Sequence, residues 1–377
     1  MRNQLMPFAK YRDDVRRLLR WTWIYFLHFT GLLRWAEYKT VTSSGVVVLT
    51  LHRVLPRAAF KNTPSLKGMI VSLETFEQLG AFLKKHYDVL DLCNDQPDWC
   101  GGTRPRLAIT FDDGWKDTAE IAFPLLHKYS IPATVFVCPG LAGKSFPFWP
   151  ERVSHMWKVT EKDVGLRHGF VAICNEFLLH RTFWPAKDKR NVVEQLIGCI
   201  KELPKERRDL LVYKLSSLMS EDFSDSKGLA FEATMSSDET KAIERMGAQI
   251  GSHTLHHEIL TQLPSDQAHS EIGESKEVIE SWLGHPCRTF AYPNGNWSLG
   301  IRALIVRVGF TRAFINSPGI WTRDTDSLLI PRVNIWEGSL TNASNNFSPI
   351  VFQYSTFWKA YRAERKRRRI VGSQATT

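Results

Sequence analysis

The sequence predicts an α/β fold, a distorted (β/α)7-8 barrel of parallel strands joined by crossover helices. Three observations point to it. Short runs rich in Val, Ile and Phe alternate with stretches whose apolar residues recur every three or four positions. Two clusters of chemically versatile side chains directly follow such runs, as chemistry at the carboxyl ends of barrel strands requires. The chain is also long enough for a large core: 377 residues, 43% apolar, with 22 Phe, 13 Trp and 9 Tyr, which excludes general disorder.

Taken in order, Val46-Val-Val-Leu-Thr-Leu51 reads as a buried strand. Leu73 to His86 reads as a helix, with Leu73, Phe76, Leu79 and Leu83 on one face. A short strand is expected at Val89–Leu92, a strong one at Arg106–Phe111, then a helix over Trp115–Tyr129 and a strand over Ala133–Val137. Residues 141–235 break the rhythm; they are charged, Trp-containing and helical in pattern, and read as an insertion. Strands resume at Ala248–Ser252, Thr289–Tyr292, Thr311–Ile315 and Leu328–Val333. Helices fill Ser265–Leu283 and Ser298–Val308, with Ser265 and Ser298 as N-caps and Gly284 and Gly309 as stops. The expected organisation is a basic, aromatic N-terminal helix over 1–44, a barrel over 45–340 that contains the insertion, and a basic C-terminal tail over 341–377.

The net charge is +10, and it belongs to the ends: residues 1–44 carry +5 and 359–377 carry +6, leaving the remainder at −1. No nucleic-acid-binding motif accompanies this basicity, so a nucleic-acid partner is not expected. The run Trp21 to Leu33 is too short to cross a bilayer comfortably and is a poor signal peptide, since Arg34 interrupts and no small-residue cleavage site follows. Its basic flanks and aromatics suit a helix lying in the headgroup region or one packed on the domain. The basic end Arg362–Arg369 reads as a solvated tail or one drawn to anionic lipid. The expectation is a cytoplasmic protein, peripheral on the inner membrane face. Six cysteines (93, 100, 138, 174, 199, 287) form no Cys-x-x-Cys pair and read as buried thiols, with a Cys93–Cys100 pairing left open.

Thr110-Phe-Asp-Asp-Gly114 stands where a strand gives way to a helix. Two adjacent carboxylates raise each other's proton affinity, so the pair makes sense where one binds a cation and the other handles protons; an Asp capping the next helix is the competing reading. Ser252-His-Thr-Leu-His-His257 follows another strand. His253 and His257 are four apart, so a helical turn would point both rings the same way, with His256 outward. Two imidazoles and a carboxylate make an open site for zinc or a similar ion.

These residues resemble the polysaccharide deacetylase family, the NodB-homology carbohydrate esterases (family 4-like). Thr110–Gly114 matches its first motif, His253–His257 its second, and Phe290-Ala-Tyr-Pro-Asn-Gly295 is similar in placement to its third. Leu49–Val54 and Ile131–Phe136 also resemble segments of the family. The resemblance covers roughly 45–335 apart from the insertion. It implies a NodB-type barrel, with Asp113, His253 and His257 as metal ligands, Asp112 as general base and Thr254 orienting the histidine loop. It also implies an oxyanion donor at the backbone N–H near Asn294, with Tyr292 in the same substrate-facing group. The metal would be divalent, zinc first, with cobalt, nickel or manganese as alternatives.

Two departures stand out. Ala291 occupies the place of the family's bracing Arg, and Arg332 is the candidate to supply that guanidinium. The family's late His, its general acid, has no match, and His52 is the substitute candidate. The reaction implied is removal of acetyl groups from N-acetylated sugars of a polysaccharide or lipid-linked saccharide, with metal-bound water as nucleophile. The alternative is a catalytically impaired relative that binds glycan or lipid-linked sugar.

Overall fold

The computed structural model describes residues 6–92, 97, 99, 103–177, 192–219 and 232–374. Cys93 and Cys100, and with them any pairing between them, lie outside the described residues, whereas Cys138, Cys174 and Cys287 are buried thiols. The chain begins with helices α1 (Met6–Phe29) and α2 (Leu32–Thr42). Strand β1 (Val46–Leu51), short strands β2 (Arg53–Leu55) and β3 (Ile70–Ser72), helix α3 (Leu73–His86) and strand β4 (Asp88–Val89) follow. Then come β5 (Arg106–Phe111), α4 (Phe123–Lys128) and β6 (Thr134–Val137). Helices α5 (Trp149–Thr160), α6 (Val164–Phe177), α7 (Val192–Lys201) and α8 (Lys205–Met219) precede α9 (Ser237–Arg245) and β7 (Gln249–Ser252). The last part holds α10 (Ser265–Leu283), β8 (Thr289–Ala291), α11 (Leu299–Val308), β9 (Arg312–Ile315) and β10 (Ile330–Asn334), then α12 (Glu337–Leu340), α13 (Pro349–Gln353) and α14 (Lys359–Gln374).

Among the described residues, seven parallel strands close into a barrel in the order β1-β10-β9-β8-β7-β6-β5, and β5 returns to β1 with Val46 opposite Arg106 and Leu51 opposite Phe111. The strands are buried on both faces, which is why they read as continuous apolar runs. Period-two alternation sorts their side chains. Val47, Leu49, Leu51, Leu107, Ile109, Phe111 and Val135 join the large core under the surrounding helices. Val46, Val48, Ala108, Phe136, Ala291, Phe314 and Ile330 form a separate cluster with Trp321, filling the barrel interior. Gly251 leaves room for that filling: a Cβ there would come within 2.5 Å of the Phe136 ring. Continuing the inward alternation toward the carboxyl ends leads to His52, Asp112, His253, Arg332 and Asn334.

Several elements differ from expectation. The strand expected at 89–92 is the two-residue β4. The helix expected over 115–129 begins as a turn and a π-helical stretch, Thr118–Ala122, before α4. The Asp117 carboxylate, just ahead of the π-helical stretch, accepts from Val54 N and from Arg53 and ties this helix to β2. Ser265 is the first helical residue and Pro264 holds the cap position, whereas Ser298 Oγ accepts from Ile301 N as an N-cap. Gly284 and Gly309 end their helices in the left-handed region (φ 76° and 93°). The C-terminal segment expected as a tail is helical, and Val351, Phe352, Phe357 and Ala360 are buried against the barrel helices because apolar residues precede its basic run.

Helices α5, α6, α7 and α8 hold a hydrophobic cluster of their own, including Val153, Met156, Phe170, Leu196, Ile200, Leu211 and Leu215. An antiparallel bridge between Ser145 and Ala233 brings the two ends of this helical segment side by side, and a second between Trp115 and Thr234 ties its returning end to the barrel rim.

Candidate metal centre

Asp113 follows β5 with φ 74°, and Gly114 with φ 71°. Two successive left-handed residues turn the chain sharply out of the strand; Asp tolerates this region better than most side chains. His253 to His257 is not a helical turn. It is a loop in which Thr254 and His257 have φ 68° and 62°, so the expected helical spacing is corrected: backbone turns bring the two rings together. His253 N donates to Val137 O, Leu255 N to Glu271 O, and Gly140 N to Leu255 O. His256 points outward, its Nδ1 2.8 Å from Glu271 Oε1.

The three expected ligands converge. Asp113 Oδ1 lies 3.5 Å from His253 Nε2 and 3.4 Å from His257 Nε2, and one donor atom from each residue lies within 4.8 Å of the others. Around a tetrahedral zinc with bonds of about 2.0–2.2 Å, neighbouring ligand atoms sit roughly 3.4 Å apart. The outer contacts fit as well. His253 Nδ1 is 2.8 Å from Ala291 O, which fixes its proton there and leaves Nε2 with a lone pair. Asp113 Oδ2 accepts from Trp115 Nε1 at 3.0 Å, leaving Oδ1 for an ion. Burial pushes His257 down to about 4, so the ring is neutral, the form that ligates. The donor set of two nitrogens and one oxygen therefore fits a divalent ion such as zinc.

Asp112 is bound by Arg332 through two parallel contacts, NH1 to Oδ1 at 2.6 Å and NH2 to Oδ2 at 2.7 Å. Burial alone would raise its carboxyl, but the Arg332 guanidinium, helped by His253, holds it well below the usual carboxylate range. Arg332 therefore stands against the aspartate that Ala291 leaves without a partner from β8. Arg332 NH1 also donates to Thr110 Oγ1 at 3.2 Å.

His52 lines the same cavity, and its Nδ1 is buried without a hydrogen-bond partner. Thr254 is buried, but its Oγ1 has no partner; the loop is held through backbone groups and by Ser252 Oγ against Ser275 Oγ at 2.6 Å. Tyr292 lines the cavity but does not offer a donor. Its N–H is given to Phe314 O and its hydroxyl to Leu328 O, which leaves the backbone near Asn294 as the oxyanion candidate of this group. Asn294 has φ 56° and lines the cavity, with Oδ1 accepting from Lys201 Nζ at 2.8 Å.

The cavity has a volume of about 410 Å³. The helical segment supplies one wall, with Phe148, Trp149, Glu151, Glu194, Ile197 and Lys201 facing Asn294, Asn316 and Asn334. Glu151 is nearly fully buried; burial, with the neighbouring Asp113 charge, pushes it up to about 8. Behind Asp113 lies a polar network that sequence reasoning missed. Arg53 stacks 4.1 Å over the Trp115 ring and is itself held by Asp117 at 3.0 Å and Glu232 at 2.7 Å. Trp115 stands two residues from Asp113, a local signal that could have found it. Arg53 and Glu232 are 179 residues apart, and no local pattern links them.

A parallel barrel with two histidines and one aspartate converging at its strand ends has the ligand set of an open divalent-metal site. The sequence pattern of the polysaccharide deacetylase family matches residues 101–165 and 218–313. Over those stretches the chain is similar to that family. It is 33% identical over 116 residues to chitin deacetylase 1 of Cryptococcus neoformans, covering 29% of this chain and 23% of that protein. It is 23% identical over 127 residues to the putative polysaccharide deacetylase YxkH of Bacillus subtilis, covering 34% of this chain and 46% of that protein. The matched stretches thus span less than half the length of either relative. Among solved structures, the Streptococcus pyogenes deacetylase PplD, in complex with acetate, is 18% identical with a TM-score of 0.48, covering 78% of this chain and 94% of that one.

Proposed function

We propose that this chain is a divalent-metal-dependent hydrolase that removes acetyl groups from N-acetylated sugars of a polysaccharide or lipid-linked saccharide. One observation carries the reading: Asp113, His253 and His257 present their donor atoms to one point beside the braced carboxylate of Asp112, in a single cavity. The match to the family pattern supports it. The cavity lies in the lower part of the usual range for ligand pockets, about 300–1,000 Å³, which suits one or two sugar rings.

When bound, a divalent ion supplies Lewis-acid polarisation of the acetyl carbonyl and makes water acidic enough to attack it. Asp113, His253 and His257 hold that ion. Asp112 stays ionised at neutral pH and takes the proton from the attacking water. A carboxylate stabilised by Arg332 holds an accepted proton weakly and readily passes it to the departing amine; His52 is the second group in the cavity placed to donate it. The backbone N–H near Asn294 is the proposed oxyanion donor, a contribution of about 3 kcal/mol for one good donor. Phe148 and Trp149 offer apolar surface to a sugar face.

Acetate release from N-acetylated saccharides, measured with and without chelator alongside elemental analysis, tests the reading. Release that stops with chelator and returns with zinc supports it. Saccharide binding without acetate release on metal-loaded protein supports instead a relative that binds glycan without hydrolysing it. The same reading sets the protein in the cytoplasm, peripheral on the inner face of a membrane, where lipid-linked saccharides or exopolysaccharide precursors are presented; the basic, aromatic ends of the chain support this. Among the described residues no helix is long and apolar enough to cross a membrane.

A further inference from the structure

The second half of α1 is mostly apolar, with Arg20, Thr22 and His28 its polar members. Ile24 and Leu27 are fully buried against the protein, while Leu18, Leu19, Trp23, Tyr25, Phe26 and Phe29 face outward. Phe29 is 81% exposed, Leu18 65% and Leu19 62%. These positions follow helical spacing, 18-22-25-29 and 19-23-26, with Thr22 the polar member, so they form one continuous outward stripe. A contiguous exposed apolar patch of this kind marks a binding surface.

The stripe has a cationic neighbour. Helix α2 packs on both α1 and α14. Trp35 of α2 and Tyr361 of α14 meet with ring centroids 4.9 Å apart. Lys39 lies 5.8 Å over the Trp35 ring and Arg365 5.9 Å over the Tyr361 ring. Arg34, Arg362 and Lys366 are exposed beside them. The two basic ends of the chain, far apart in sequence, thus meet in one region on α14 and on α2, the helix packed against α1.

We propose that α1, α2 and α14 together form a docking face for an anionic lipid bilayer, the α1 stripe entering the acyl boundary and the α2–α14 cations meeting lipid phosphates and carboxylates. Trp and Tyr, with an apolar body and a polar tip, suit that boundary. Charge complementarity favours lipid over a second copy of the chain, because two-fold pairing of this face would set one cationic cluster against another. The proposal rests on the membrane reading above and not on the deacetylase chemistry, since vesicle binding requires no catalysis.

Cosedimentation of the full chain with vesicles tests it. Binding is expected to vesicles of phosphatidylcholine with about 30% phosphatidylserine, weakening as salt rises, and to be far weaker on phosphatidylcholine alone. Phe26→Ser with Phe29→Ser should weaken it by about tenfold or more. Arg365→Glu with Lys366→Glu should weaken it by more than about tenfold, each cation being worth about fivefold. Both variants should keep the wild-type circular dichroism spectrum, thermal midpoint and acetate release. The proposal is overturned if the wild type fails to sediment with anionic vesicles, if neither variant weakens binding, or if the chain forms a dimer that Phe26→Ser with Phe29→Ser dissolves while vesicle binding is absent.

Discussion

Arg332 on β10 and Asp112 after β5 meet across the barrel mouth in a two-pronged ion pair, with contacts of 2.6 and 2.7 Å and both side chains buried. The guanidinium is planar and presents two N–H groups to one carboxylate, a geometry that lysine cannot reproduce. Removing it leaves a charge buried without a partner. Arg332→Met is expected to destabilise the protein by about 3–5 kcal/mol in denaturant unfolding, and Arg332→Lys to recover only part of that. Unchanged stability in Arg332→Met would show that Asp112 is not held as an anion.

The division of labour between the adjacent aspartates is separable. Asp113→Ala and His257→Ala should lose bound metal on elemental analysis and activity with it. Asp112→Asn should keep the metal and lose activity by about 10²–10⁴-fold. Full metal occupancy in Asp113→Ala would break the ligand assignment.

Trp115 holds the Asp113 oxygen that faces away from His253 and His257. Trp115→Phe keeps the ring under Arg53 but deletes the N–H. Metal affinity by competition titration should fall by about 10–100-fold. Activity at saturating metal should largely return, because no group facing the substrate is altered. Unchanged affinity would make Trp115 a packing residue only.

The Glu151 carboxyl, pushed up to about 8, gives a pH signature in chelator-treated protein. Between about pH 4.3 and 8 the folded chain keeps a proton there that the unfolded chain has released. Stability from this group is therefore lost as pH rises through that window. Glu151→Gln removes the dependence. Relative to wild type, the variant should gain roughly 1–3 kcal/mol in unfolding measurements between pH 5 and 8.5. A difference independent of pH would show that Glu151 titrates as an ordinary carboxyl. His257 works in the opposite sense: with its folded value near 4, stability falls as pH drops from about 6.5.

Much of the barrel was legible because its strands are buried on both faces and their apolar runs are unbroken. Helix α3 runs from Leu73 to His86, the bounds expected from its Leu73, Phe76, Leu79 and Leu83 periodicity. The aspartate pair and the histidine cluster were legible because each lies at a strand end. The reason for the histidines' convergence was not: a spacing of four suggested a helix, yet left-handed backbone at Thr254 and His257 does that work, and no residue type there announces it. Tyr292 looked available because sequence does not show that Phe314 and Leu328 carbonyls already receive its donors. The cavity wall from Glu151 and Lys201 and the Arg53–Glu232 contact are products of long-range packing. Residues 341–374 were misjudged because the basic run of α14 outweighed the buried apolar turn that precedes it.

The bridges at Ser145–Ala233 and Trp115–Thr234 make the inserted helices a module hung from the rim by a narrow stem. Its departure and return points are adjacent, so a longer or shorter replacement changes the closure entropy only slowly with length. The Asp113–His253–His257 cluster is anchored on strand ends, whereas the facing wall is borrowed from the module. Grafting a different helical segment onto the same stem would reshape the mouth over Asp113, His253 and His257 while leaving those three side chains in place.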